Sequence, residues 1–249
     1  MSKTIKPNDQ FIAGLVDLPL FKCLTVEQRR ALVDCARVTY YEPGEQLFHE
    51  GEPAERFYIL KCGRVKMRRL SRSGKETVLH LSSPPQMIGC KSLTAPGSRF
   101  PADAIAVDSV IALGFERELF LNRVSHVPDV FFSLLIELNH RLSEIYSLQS
   151  SMLEPIEKRI ATLLLNQASE DPEYMNLENM RPIHITKSLI AAIVGTTTET
   201  AIRILSRWKK AGLVSSERGK VTIEDIEGVC RIAEHQLKEP AIPISGLEV

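Results

Sequence analysis

Residues 128–153, PDVFFSLLIELNHRLSEIYSLQSSML, place Phe131, Leu135, Leu138, Leu142, Ile145, Gln149 and Met152 at alternating steps of four and three, and only Gln149 is polar. An average step of 3.5 residues keeps one seam facing a neighbouring helix, as in a coiled coil. The alternative is an amphipathic helix lying on its own domain. The segment stands between a β-textured half and a helical half, which favours a dimer spine. Two-fold pairing along that seam would duplicate whatever follows it. The predicted organisation is therefore a domain over 1–127, the spine helix over 128–153, a second domain over 154–238 and a tail over 239–249.

On the N-terminal side, LTVEQRRALVDC opens with Thr25 as a helix cap and Gln28 three residues later, a capping-box pattern. From Val38 to Phe120 glycines, β-branched residues and short alternating runs dominate. Strands are expected around Phe57–Lys61, Val65–Leu70 and Thr77–Leu81, with turns at Gly63 and Ser73-Gly74. Short strands separated by glycine turns predict an antiparallel barrel or jelly roll. On the C-terminal side Pro155 breaks the spine and IEKRIATLLLNQA resumes as a helix. SEDPEYMNLENMRP (169–182) reads as a loop, and KEPAIPISGLEV as an irregular tail. The fold class is α+β.

The formal net charge is zero, with 31 basic and 31 acidic residues. Between Arg181 and Val221 eight basic residues face only Glu199 and Glu217, a local net charge of +6. Local field, rather than net charge, governs nucleic-acid binding, so a basic module joined to an acidic partner domain suits contact with double-stranded DNA. No run of eighteen apolar residues occurs, so no membrane partner is expected. The N-terminus lacks a signal-like apolar region, which predicts a cytoplasmic protein. Cys23, Cys35, Cys62, Cys90 and Cys230 are scattered and form no C-x-x-C pair, which reads as buried thiols in a reducing compartment, with a redox role for one of them left open.

The chemistry concentrates in ITKSLIAAIVGTTTETAIRILSRWKKAGLV, residues 185–214. Thr186 can cap a helix running to about Val194, with Lys187 at its start. Gly195 can supply a positive-φ hinge, and Thr196, Thr197 and Thr198 can cap the next helix or touch phosphate. That second helix buries Ala201, Ile204, Leu205 and Trp208. Its other face carries Thr198, Glu199, Ile202, Arg203, Ser206 and Arg207. Gly212 ends it, and LVSSERGKVTIED follows as a two-stranded wing, placing Lys220 near the backbone of a duplex. Helix, turn, helix and wing in that order form a specific signal. Arg203 can donate two bonds to guanine, and Glu199 can accept from cytosine N4. The competing reading is an i,i+4 ion pair on a solvated helix.

These residues, with YYEPGEQLFHEGEPAERFYILKCGRVKM and EPIEKRIATLLL, resemble the Crp/Fnr family of bacterial transcription regulators nearly end to end. The resemblance implies an N-terminal cyclic-nucleotide-binding-type jelly roll, a dimerising helix and a C-terminal winged helix. It also implies a homodimer acting on a palindromic promoter site, with RNA polymerase as a partner if the protein activates. Glu199 and Arg203 match the family's Glu-x-x-x-Arg reading pair. Thr198 stands where cyclic-AMP-responsive members carry Arg, and Ile202 where a small or hydroxyl residue is usual. A half-site resembling TTG or TGA is expected.

The sensor departs from the family at its ligand cassette, QMIGCKSLTAPGSRFPADAIAVDS (86–109). Gly89 is followed by Cys90 rather than Glu, Phe100-Pro101 stands where Arg-Ser/Thr is expected, and Arg99 lies one residue early. Cyclic AMP is therefore disfavoured. Met87, Gly89, Cys90, Arg99, Phe100 and Pro101 define the candidate effector pocket. An apolar pocket there is compatible with haem, with His49, His80, Cys62 and Cys90 as candidate axial ligands and His126 a further histidine. A small organic or gaseous effector, or thiol oxidation at Cys90, is equally compatible. Two other functions remain in play: a DNA-binding protein whose sensor is degenerate and empty, and a cupin-type binding or catalytic protein, which lacks the clustered His and carboxylate ligands it would need.

Overall fold

A computed structural model describes residues 3–5, 19–33, 35–71, 74, 76–169 and 182–233. The predicted tail over 239–249, Arg181 and all but the ends of the predicted loop over 169–182 lie outside the described residues. The chain divides into two compact units on either side of the Tyr146–Ser147 bond.

The first unit runs β1 (Lys3–Ile5), α1 (Pro19–Lys22), α2 (Val26–Val33), β2 (Ala36–Tyr41), β3 (Gln46–Phe48), β4 (Arg56–Cys62), β5 (Val65–Leu70), β6 (Glu76–Ser82) and β7 (Met87–Ile88). A 3-10 turn over Cys90–Leu93, β8 (Asp103–Ala106), β9 (Val110–Glu116) and α3 (Arg117–Val124) follow, and then α4 (Pro128–Ser151) begins. The capping box forms reciprocally: Thr25 N–H donates to Gln28 Oε1 at 2.8 Å and Gln28 N–H to Thr25 Oγ1 at 3.2 Å. All strand pairs are antiparallel, in sheets of order β1-β2-β9-β4-β7 and β3-β8-β5-β6. β texture gives way at Glu116, earlier than the expected Phe120. RELFLNRV is rich in helix formers and buries Phe120 and Val124, four residues apart, on one helical face.

Strand alternation sorts the apolar side chains into two cores. Between the sheets lie Tyr41, Phe48, Leu60, Val65, Ile88, Phe100, Ala104 and Ala112, with Tyr58 and Met67 at the margin. On the other face of the five-stranded sheet, Val38, Phe57, Ile59, Met87, Leu113 and Phe115 meet Phe21, Phe120, Val130 and Leu134 from the helices and Leu24 from the α1–α2 link. The rings of Phe57 and Phe115 stack at 5.1 Å, with Phe120 edge-on to Phe57 at 4.8 Å. Each such ring pair adds about 0.5–1.5 kcal/mol beyond burial. Gly114 is a glycine for space: a Cβ there would sit 3.1 Å from the Tyr58 ring.

Helix α4 serves two surfaces. Val130 and Leu134 are buried in the helix-side core, and Arg141 Nη2 donates to the Met87 carbonyl at 2.6 Å. The seam residues point elsewhere: Phe131, Leu135, Leu138, Leu142 and Ile145 are exposed, Leu135 at 61%. Met152, just past the helix, is exposed as well, and the Gln149 side chain lies outside the described residues.

The second unit holds α5 (Ile156–Ser169), α6 (Lys187–Val194), α7 (Thr198–Lys210), β10 (Val214–Glu217), β11 (Lys220–Ile223) and α8 (Ile226–Ala233). β10 and β11 form an antiparallel hairpin, and Ile183 bridges to Val221. Ile160, Leu164 and Ala168 recur every fourth residue on α5 and are buried with Ile190, Ala201, Leu205, Trp208 and Val229 in this unit's core.

Candidate nucleic-acid interface and sensor cassette

The α6–α7 turn is built by three local devices. Thr186 caps α6, its hydroxyl accepting from Leu189 N–H at 3.2 Å. Gly195 closes α6 in the left-handed region at φ 69°, ψ 41°, and Thr196 N–H returns to the Ala191 carbonyl at 2.9 Å. Thr197 caps α7, accepting from Thr200 N–H at 3.2 Å and donating to the Thr200 hydroxyl at 3.0 Å. The chain turns through 112° between the two helix axes, within the range of a helix-turn-helix. The Thr186 and Thr197 hydroxyls thus hold helix ends, in keeping with the capping expected of both.

Ala201, Ile204, Leu205 and Trp208 anchor α7 in the core. Thr198, Glu199, Ile202, Arg203, Ser206 and Arg207 are exposed, while Lys187, Thr196 and the wing residue Lys220 are half-buried. Glu199 and Arg203 form no ion pair with each other or with any other described residue. The ion-pair reading is thereby set aside, and both side chains present free hydrogen-bonding groups to solvent. Arg207 differs: its Nη2 pairs with Glu157 Oε1 in the first turn of α5. That contact joins residues 50 apart in sequence, and nothing in the local pattern signals it.

The cassette residues do not share one cavity wall. Met87 and Ile88 are successive strand residues, so their side chains leave opposite faces: Met87 enters the helix-side core and Ile88 the between-sheet core. Cys90 packs with Met87, and burial raises its thiol pKa, opposed by the Arg141 charge. Phe100 lies in the other core, stacked on Phe48 at 3.8 Å. Gly89, at φ 75°, fits between them; a Cβ would stand 3.2 Å from the Phe100 ring. Arg99 is exposed and donates to the Gly51 carbonyl at 2.6 Å, and Pro101 is exposed. The expected single pocket of Met87, Cys90 and Phe100 is corrected accordingly: the sheet itself separates them.

The candidate haem ligands are likewise dispersed. His49 is exposed, 4.0 Å from Asp103, Cys62 is exposed, and Cys90 packs against the helix-side core. His126 is exposed on the surface. His80 pairs in register with Met67, which packs at the margin of the between-sheet core, and reaches Gln86 Oε1 through Nε2 at 3.3 Å. Burial first, then the Arg141 charge, lower its pKa to about 4, against a smaller raising effect of the Gln86 bond. Among the described residues no three His, Cys, Asp or Glu side chains gather as a metal site. These donors do not fit a shared axial site for haem.

A two-sheet roll in one unit and a winged helix-turn-helix with an unpaired acid and base on its second helix in the other define a class: sequence-specific DNA-binding regulators with a sensor-type domain. Residues 38–126 match the cyclic nucleotide-binding domain and residues 158–232 the Crp-like helix-turn-helix domain. The CRP-like cAMP-activated global transcriptional regulator of Mycobacterium tuberculosis is 30% identical over 194 residues, covering 76% of this chain and 85% of that protein. The chain belongs to the Crp/Fnr family of transcription regulators. The Transcriptional activator protein anr of Pseudomonas aeruginosa is 27% identical over 230 residues, covering 90% of this chain and 92% of its own. Among solved structures, FixK2 from Bradyrhizobium japonicum matches 81% of this chain and 99% of its own with a TM-score of 0.70 at 19% identity. The global regulator CLP of Xanthomonas campestris matches 80% and 99% with 0.68, also at 19% identity, which supports the fold alone.

Proposed function

We propose that the protein works as a homodimer on a two-fold-related promoter site, with Glu199 and Arg203 reading base edges in the major groove. The observation that carries this reading is the pair's freedom: both side chains are exposed and unpaired on a helix whose other face is fixed in the core. Ile202, 41% exposed between them, suits a thymine methyl, in keeping with a TTG- or TGA-like half-site. Exposed Thr198 and Ser206 on the same helix, with half-buried Lys220 on the wing, are the candidates for phosphate contacts. The exposed seam of α4 supplies the second subunit's contact, and RNA polymerase is a further partner where the protein activates. Its role is binding rather than catalysis, and its place is the cytoplasm.

The effector is a ligand other than cyclic AMP. The M. tuberculosis relative is named for cAMP activation, but here Cys90 follows Gly89 and the buried Phe100 ring occupies the cassette where an anion needs a positive charge. Titrating the protein on its promoter DNA tests both parts. Arg203→Ala should weaken specific binding by about 1–3 kcal/mol, and cyclic AMP should leave the wild-type affinity unchanged. Equal binding by the variant would remove the reading pair from the account. Tightening by cyclic AMP would restore the nucleotide as effector, and an unresponsive sensor under every effector tried favours the degenerate-sensor reading.

A further inference from the structure

Arg207 and Arg203 stand one turn apart on α7, yet they are treated differently. Arg207 is held by Glu157, while Arg203 is left unpaired. Both line a groove of about 580 Å³ whose opposite wall carries Glu154, Glu157 and Lys158 from the start of α5. Within that wall Glu154 is balanced by Lys158 at 3.1 Å, so Glu157 is the carboxylate turned to the recognition helix. Glu157 sits in the first turn of α5, where the helix dipole favours its negative charge. With side-chain exposures of 61% and 41%, the Arg207–Glu157 pair is too wet to matter much for stability. Its consequence is electrostatic: it removes one cation from the face that approaches DNA.

We infer that Glu157 is a positioning residue that lowers DNA affinity and its salt dependence by holding Arg207 off the phosphate backbone. The inference rests on the reading of α7 as the recognition helix. Non-specific binding depends almost wholly on phosphate neutralisation, and each neutralised phosphate adds about 0.9 to the slope of log affinity against log salt. Specific binding draws in addition on base-edge contacts, which Glu157 does not touch. A carboxylate that holds back one phosphate contact therefore lowers affinity for both kinds of site by a similar factor and leaves discrimination to the base edges.

The test uses full-length protein, a random-sequence duplex as the non-specific probe, and the duplex that the wild type enriches from a random pool as the specific probe. Glu157→Gln should steepen the non-specific salt slope by about 0.9 per subunit and raise non-specific affinity about fivefold per subunit near 0.15 M salt. Specific affinity should rise by a similar factor. Arg207→Gln should leave slope and affinity at wild-type values, as should Glu154→Gln, whose carboxylate faces Lys158. Thermal melting of each variant separates these effects from misfolding. A wild-type slope for Glu157→Gln, or a slope flattened by about 0.9 in Arg207→Gln, would overturn the inference while leaving the recognition helix in place. A wild type with no sequence preference would overturn both.

Discussion

Glu199, Arg203 and Arg207 lie on successive turns of one helix, yet only Arg207 has an ion-pair partner among the described residues. Sequence spacing alone leaves Glu199 and Arg203 as either a reading pair or an ion pair; side-chain placement removes the ion pair, because neither has a partner among the described residues, and the reading pair stands as the proposal. His80 gives a second residue-scale prediction. Its folded pKa of about 4 lies below the ordinary histidine value of 6.5. The unfolded chain therefore takes up this proton at a higher pH than the folded one, and stability falls as pH drops from 6.5 toward 4. Between pH 7 and 5 the loss from this group should be roughly 2 kcal/mol, seen as a lower urea midpoint. In His80→Gln that part of the pH dependence should vanish; an unchanged dependence would show that His80 is not the buried group responsible. Cys90 adds a chemical check. Its raised pKa leaves little thiolate at neutral pH, so a thiol-alkylating reagent should modify exposed Cys62 well before Cys90.

At the scale of elements, the helix-turn-helix was legible because its signals are local. Caps at Thr186 and Thr197, the left-handed Gly195 and the buried set Ala201, Ile204, Leu205 and Trp208 all follow from spacing within one or two turns. Thr197→Ala should cost about 1 kcal/mol of stability through loss of the α7 cap, measured by urea unfolding. Elements set by tertiary context were harder to read. Helix α8 is preceded by Asp225, whose carboxylate accepts from Gly228 N–H at 2.8 Å, an N-terminal capping signal present in IEDIEGVCRIA. The cassette resisted for a different reason: β7 is only two residues long, too short for alternation in sequence to reveal which face each residue enters. Arg141, which ties α4 to the cassette through the Met87 carbonyl, has no sequence signature because the contact spans 54 residues. Arg141→Gln, which removes that cation, should weaken the influence of sensor state on DNA affinity; effector-independent affinities equal to wild type would confine its effect to coupling.

For the whole molecule, the neutral charge count hides a basic segment around the recognition helix, and the fold gives it a domain of its own in the second unit. The apolar seam was legible from its 3.5-residue repeat, but only the structure divides α4 into a face buried on the sensor and a face left exposed. Leu142→Glu, on the exposed face, should convert a dimer to a monomer in sedimentation without unfolding it. An unchanged dimer would place the interface elsewhere. The most direct test of a dimeric reader is selection of its site from a pool of random duplexes, followed by footprinting. The account predicts a two-fold-symmetric site with half-sites about one helical turn, ~34 Å, apart, lost when Arg203→Ala replaces the wild type. Enrichment of an unpaired single half-site, or of no sequence at all, would contradict it.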